Sequence, residues 1–231
     1  MKRLYRDAAA TPAEGGFAVT LDGKPVRTPA KAALVVAGRA LAEAIAAEWQ
    51  AQGERVDPGT MPLTRLASTA IDLVAPRRAE VVAMIAKYAA TDLVCYRAEG
   101  PPELVERQHR AWQPLIDWAR ERHDAPLEVA TGIMPCAQPA ASLVSLTTSV
   151  ASHDPWQLAA LNLATAACGS LVVALALSEG RLDAEGAFAV AELDASFQIE
   201  RWGEDPEQTQ RRRALKDDIE GAARFLALLA T

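Results

Sequence analysis

The chain has 231 residues, 50% of them apolar and 23% charged, enough to bury a sizeable core in one large domain or two small ones. Its formal net charge of -6 argues against a general nucleic-acid or anionic-membrane surface, because those partners need a positive field. Cys95, Cys136 and Cys168 lie far apart without CxxC spacing, which fits neither a disulfide framework nor a zinc site and makes a reducing compartment the default.

The N-terminus, MKRLYRDAAA, has charge but no apolar core, so no secretory or organellar signal is expected. Residues 16–31 read GFAVTLDGKPVRTPAK. Phe17, Val19 and Leu21 alternate with Ala18 and Thr20 as in a half-buried strand, Asp22-Gly23 is a two-residue turn, and residues 24–28 run back. Pro25 has no N–H to donate and places the return strand at a sheet edge. After a short apolar run at residues 33–36, Leu41, Ile45 and Trp49 predict an amphipathic helix with Glu43 and Glu48 off its apolar line. A linker with Gly53, Pro58 and Gly59 precedes Pro62, which suits a first helical position. Leu63, Leu66, Ala67, Ala70, Ile71 and Val74 form the next stripe, and Pro76 stops it. Val81, Met84, Ile85 and Tyr88 mark a third helix, and residues 91–97, TDLVCYR, have the composition of a strand joining the sheet.

Gly100-Pro101-Pro102 is the clearest punctuation, and the pattern beyond it is almost wholly helical. The expected fold is therefore α+β, with a mixed domain at 1–99 followed by a helical domain at 100–231. Leu104, Ala111, Leu115 and Trp118 carry a helix that Pro114 should kink or restart, and residues 126–139 form a connection. Residues 156–178 hold no charge. Gln157, Asn162, Thr165, Gly169 and Ser170 interrupt that stretch and no basic cluster flanks it, so it reads as a buried central helix, begun by Asp154-Pro155 and ended by Gly180, rather than a membrane span. Asp183 caps a helix whose stripe of Phe188, Ala195, Ile199 and Trp202 includes Glu192, a carboxylate that needs a partner or water. Gly203 breaks it, and Asp205-Pro206-Glu207-Gln208 starts a last helix burying Leu215, Ile219, Ala222, Leu226 and Leu229. Arg211, Arg212 and Arg213 are answered by Asp217, Asp218 and Glu220 and read as a solvated helix face.

The search for chemistry returns little. His109, His123 and His153 lack metal-ligand spacing, and phosphate-cradling loops and a nucleophile elbow are missing from the sequence. Ser152-His153-Asp154 has the letters of a triad, but consecutive side chains cannot align as nucleophile, base and orienter, so Asp154 reads as a cap. Glu204/Asp205 and Asp217/Asp218 are surface or capping pairs, and Cys95 and Cys168 are small core residues rather than nucleophiles. Metals and cofactors are not expected.

Taken in order, GFAVTLDGKPVRTPAK, AEAIAAEWQAQGERVDPGTMPLTRLASTAID, YAATDLVCYRA, WQPLIDWA, SLVVALALSEG and ERWGEDPEQTQRR make the chain resemble the assembly chaperones of F-type ATP synthase, in the branch that escorts the alpha subunit. The resemblance implies a binding protein without turnover. It would hold unassembled alpha subunit against aggregation until the beta subunit replaces it, with no cofactor, nucleic acid, small-molecule substrate or stable membrane insertion. It also places client contact in the acidic tract after the Trp-Gly pair: Glu204 first, then Trp202 and Asp205, with Glu192 and Asp194 on the same helix as second candidates. An internal ion pair explains Glu192 equally well. Because the family pattern starts at the N-terminus, a bacterial cytoplasmic member is expected, or a mature mitochondrial matrix protein. The alternative is a small-molecule enzyme with its site in an interdomain cleft.

Overall fold

The computed structural model describes residues 2–132 and 134–231. By packing, the chain forms two units: residues up to Arg78 with Asp154–Ala160 and Gly221–Thr231, and Ala79–His153 with Leu161–Glu220. This partition is discontinuous, whereas a boundary at Gly100 cuts the chain once.

In the first unit, β1 (Ala8–Ala13) and β2 (Gly16–Leu21) pair antiparallel, Ala8 opposite Leu21 and Ala13 opposite Gly16. Asp22 and Gly23 turn the chain at φ 48 and 78, the left-handed pair that matches strand twist in a two-residue hairpin. The return strand β3 (Lys24–Pro25) lies at the sheet edge with Pro25 exposed. A further strand, β4 (Val35–Val36), pairs with the other end of β2. As the central strand, β2 buries Ala18, Val19 and Thr20 in succession, not the single face that alternation implies. Strand β1, AAATPA, carries no apolar alternation and was not legible in the sequence; it forms on the open edge of β2.

Helix α1 (Arg39–Gln50) packs on β1 and β2 through Leu41, Ala42, Ile45 and Ala46. Glu48, off the apolar line by spacing, is buried too. Its carboxylate accepts from the backbone N–H of Leu63 and Thr64, both at 2.8 Å, and from Thr64 Oγ1 at 2.7 Å. It thereby caps α2 (Pro62–Thr69), which opens on Pro62 as expected and would otherwise leave those donors orphaned. Residues Ala70–Val74 continue as a π turn, from which Asp72 accepts from Thr28 Oγ1 (2.7 Å) and Ala30 N (2.9 Å). Trp156 stacks on Phe225 with ring centroids 6.4 Å apart.

The second unit takes in α3 (Arg78–Ala86) from its second residue on, two 3-10 turns (Lys87–Thr91 and Leu93–Cys95) and β5 (Tyr96–Arg97). The strand expected over 91–97 shrinks to β5, which pairs in parallel with β6 (Ala130–Thr131) in a separate two-stranded sheet. The cause is Asp92. Its fully buried carboxylate accepts from Val94 N (3.2 Å), Ser170 Oγ (2.5 Å) and Val172 N (3.0 Å), and so bends the chain out of extension. Burial pushes its pKa up to about 6 despite those hydrogen bonds.

The same contacts divide the uncharged stretch. In place of one helix there are two, α6 (Pro155–Cys168) and α7 (Leu171–Ser178), separated by Gly169 at φ 62, with Ser170 capping Val173 N at 3.0 Å. Every residue from Leu171 to Leu177 is buried, which a helix apolar on all sides requires. Among the described residues no helix is long and apolar enough to cross a membrane. Cys95 and Cys168 are buried, and burial first, then the Asp92 charge, pushes both thiols up to about 12.

Helix α4 (Pro102–His123) runs through Pro114 without a restart. Helix α5 (Ala140–Ala151) is not announced by the residue pattern, because its sequence is rich in Ser and Thr. Thr147, Thr148 and Ser149 donate their hydroxyls to carbonyls four residues back, so these groups cost the helix little. The helix expected after Asp183 is also two: α8 (Ala184–Ala191), capped by Asp183 on Gly186 N at 2.7 Å, and α9 (Leu193–Trp202). In α10 (Pro206–Leu229) the fully buried side chains are Ile219, Ala222 and Phe225, while Leu215, Leu226 and Leu229 are half-buried.

Candidate partner-binding site

Glu192 sits at the break between α8 and α9 with backbone φ -104 and ψ 23, outside helical geometry. It is 7% exposed, and the partner its burial demands is double. Arg211 Nη2 donates to both carboxylate oxygens at 3.0 and 3.1 Å, and Arg212 Nη1 donates at 2.9 Å. Arg212 also donates to Ser196 Oγ at 3.0 Å and lies over the Phe188 ring at 5.2 Å. The arginine run is therefore not wholly a solvated face: Arg212 is drawn inward to Glu192 while Arg213 stays exposed.

Ten residues on, the far end of α9 faces water. Trp202 is 75% exposed, so it is not a core residue, and Gly203 at φ 82 ends the helix behind it. Glu204 keeps a long contact with Arg212 Nε at 3.6 Å. Asp205 caps α10, its Oδ1 accepting from Gln208 N at 2.9 Å. The neighbouring α9 side chains are tied to α4: Arg107 pairs with Glu200 at 2.7 Å, Arg201 pairs with Glu103, and both guanidinium groups cover the Phe197 ring. These contacts join the end of α9 to α4, while Trp202 stands in water and Glu204, its side chain 35% exposed, lies against Arg212.

Asp194 belongs to another place. Its Oδ1 accepts from Gln108 Nε2 at 2.8 Å, and Gln108 Oε1 accepts from Ala98 N at 2.8 Å. The two side chains line a cavity of about 460 Å³ with Tyr96, Arg97, Glu99 and Gly132. Arg97 is 8% exposed, lies over the Trp112 ring at 5.1 Å, and has no hydrogen-bond acceptor for Nη1 or Nη2 among the described residues. Burial pulls its pKa down, and the Asp194 charge opposes that shift. The sequence pattern marks neither Arg97 nor Gln108 as a site residue. Gln108 was legible in principle, since it falls on the buried α4 stripe between Leu104 and Trp112; Arg97 was not, because its burial depends on distant elements.

Residues 2–120 match the family described as ATP12 chaperone protein. The chain belongs to the ATP12 chaperone family. A curated relative is the mitochondrial protein atp12 of Schizosaccharomyces pombe, 27% identical over 214 residues, covering 87% of this chain and 74% of the relative. The crystal structure of Atp12 from Paracoccus denitrificans is 43% identical with a TM-score of 0.93, over 99% of this chain and 98% of that one. An aspartate-to-lysine mutant of P. denitrificans Atp12p matches at 42% identity and a TM-score of 0.93, over 99% and 97% of the two chains. An ATP12 protein is a chaperone and not an enzyme, so the alternative of a catalytic site lapses. The triad letters agree with that: Asp154 Oδ1 caps Trp156 and Gln157 N–H at 2.8 Å, Ser152 Oγ donates to Ser149 O, and His153 Nδ1 lies 2.9 Å from Ser149 O. His123, half-buried like His153, has its Nδ1 2.9 Å from Ser149 Oγ, and partial burial lowers its pKa against the raising effect of Glu179.

Proposed function

We propose that this chain is an assembly chaperone for the catalytic sector of F-type ATP synthase, which binds the unassembled alpha subunit and prevents its aggregation until the beta subunit takes its place. The observation that carries the reading is an indole 75% in water at the end of α9, two residues before the Glu204 carboxylate, in a member of the ATP12 chaperone family. Exposed tryptophan at such a place is the residue type that most often anchors a protein interface. Glu204 supplies the charge that orients the client, Asp205 holds the turn that presents it, and Glu192 fixes the arginines beneath. Asp194 contributes through the neighbouring cavity. Binding without turnover needs only that these contacts be weaker than those of the assembled subunits. The setting is the bacterial cytoplasm, or the mitochondrial matrix for a eukaryotic mature form.

Light scattering during dilution of denatured alpha subunit into buffer tests this directly. An equimolar amount of the chain should suppress aggregation, and Glu204→Lys should suppress it less while keeping the wild-type melting curve. Aggregation unaffected by the wild-type chain would refute the reading; full suppression by the folded variant would remove Glu204 from the contact.

A further inference from the structure

Resting on the chaperone reading for the identity of the partner, we propose that the cavity beside Asp194 is a recognition pocket for an amide group of the client, either an Asn or Gln carboxamide or a peptide group exposed at a turn. Its lining asks for one acceptor and one donor together. Arg97 lines the cavity with Nη1 and Nη2 closed to solvent and without an acceptor among the described residues, so a turn of its side chain makes both available. Asp194 gives Oδ1 to Gln108, and its second oxygen has no donor among the described residues. Glu99 stands exposed at the rim, held against Gly132, where an added Cβ would lie 2.6 Å from Glu99 Oε1.

Charge decides between ligand classes. Arg97, Glu99 and Asp194 are the ionisable groups with charge at neutral pH in the lining, and together they are net negative. A carboxylate answers Arg97 but meets Asp194 and Glu99, and like charges at close range repel. A cation answers the acids but leaves Arg97 unpaired and faces it. An amide presents its oxygen to Arg97 and its N–H to Asp194 and adds no charge. The chain holds a precedent in Gln108, whose carboxamide, on a residue 1% exposed, spans Ala98 N and Asp194 Oδ1 in this way. Both Nη atoms are closed to solvent in the free chain, so entry requires a side-chain rearrangement of the wall, after which the new hydrogen bond competes with no water.

The test is a titration of the full 15N-labelled chain with acetamide, with sodium acetate and guanidinium chloride at matched ionic strength as comparators, following the Arg97 Nε–H and Trp112 Nε1–H signals. Acetamide should give saturable shifts at both, and acetate and guanidinium weaker ones. Arg97→Gln should abolish the acetamide response. Asp194→Asn, which keeps an acceptor for Gln108, should weaken acetamide and strengthen acetate, and it stands in for Arg97→Gln if that variant does not fold. Non-saturating acetamide shifts, tighter binding of acetate to the wild type, or an unchanged response in the variants would each overturn the pocket. Folded Arg97→Gln should also capture alpha subunit about tenfold more weakly, the loss expected for one hydrogen bond to a charged group. Capture equal to wild type would overturn the assignment of the pocket to the client. Failure of the wild-type chain to capture alpha subunit at all would instead sink the chaperone reading, leaving the acetamide result to decide the pocket.

Discussion

Trp202 returns little packing to the fold, since three quarters of its surface is in water, yet the helix that carries it is joined to α4 by two ion pairs and a shared aromatic ring. Trp202→Ala should therefore change unfolding free energy by less than about 0.5 kcal/mol. It should weaken alpha-subunit capture by about 20-fold or more, the scale of an interface anchor. Urea denaturation and a quantitative pull-down separate the two effects. Asp92 makes the opposite case, a residue whose role is wholly internal. Its pKa rises from 3.8 to about 6 on folding, so the native state holds the proton more tightly than the unfolded chain. The stabilisation is fully present below pH 3.8 and is lost as pH rises through 6. Relative to Asp92→Asn, wild-type stability should fall across that window by on the order of 3 kcal/mol, read from urea midpoints at pH 4, 5, 6 and 7. Parallel pH profiles of the two proteins would contradict this.

Helix ends made by local signals were readable, and those made by distant side chains were not. Asp183 and Asp205 cap the helices that their sequence neighbourhoods announce, and Asp22-Gly23 turns the hairpin it predicts. The breaks at Gly169 and Glu192 depend on Asp92 and on Arg211 and Arg212, which lie far away in sequence or on another helix. The stripe position of Glu192 calls for a partner, but spacing does not say that the partner is an arginine run with the pattern of a solvent-facing helix. Glu192→Ala leaves Arg212, whose side chain is 15% exposed, with Ser196 Oγ and the long contact to Glu204, and should cost about 2 to 3 kcal/mol. The urea midpoint should drop with an unchanged slope, and an unchanged midpoint would show that the pair contributes nothing. Gly169→Ala meets no atom within 4 Å, so its cost is the left-handed backbone alone, about 1 kcal/mol by the same measurement.

At the scale of the whole molecule, the α+β layout was legible because the hairpin, the Pro-Gly punctuation and the uncharged stretch are strong signals. The return of chain segments was not, since nothing in residues 154–160 or 221–231 announces that they pack with the first 78 residues. Phe225 within that group is fully buried and stacked on Trp156, and Phe225→Ala should cost about 3 to 5 kcal/mol in chemical denaturation. The candidate site was legible in part: the family signature pointed to Trp202 and Glu204, while Arg97 and its cavity depend on three elements meeting in space. The most direct measurement is co-expression of the tagged chain with the alpha subunit of the same organism in the absence of beta, scoring soluble and co-purifying alpha before and after addition of beta. The account predicts that alpha becomes soluble, travels with the tag and leaves it when beta is added; alpha that aggregates as before and never binds would contradict it.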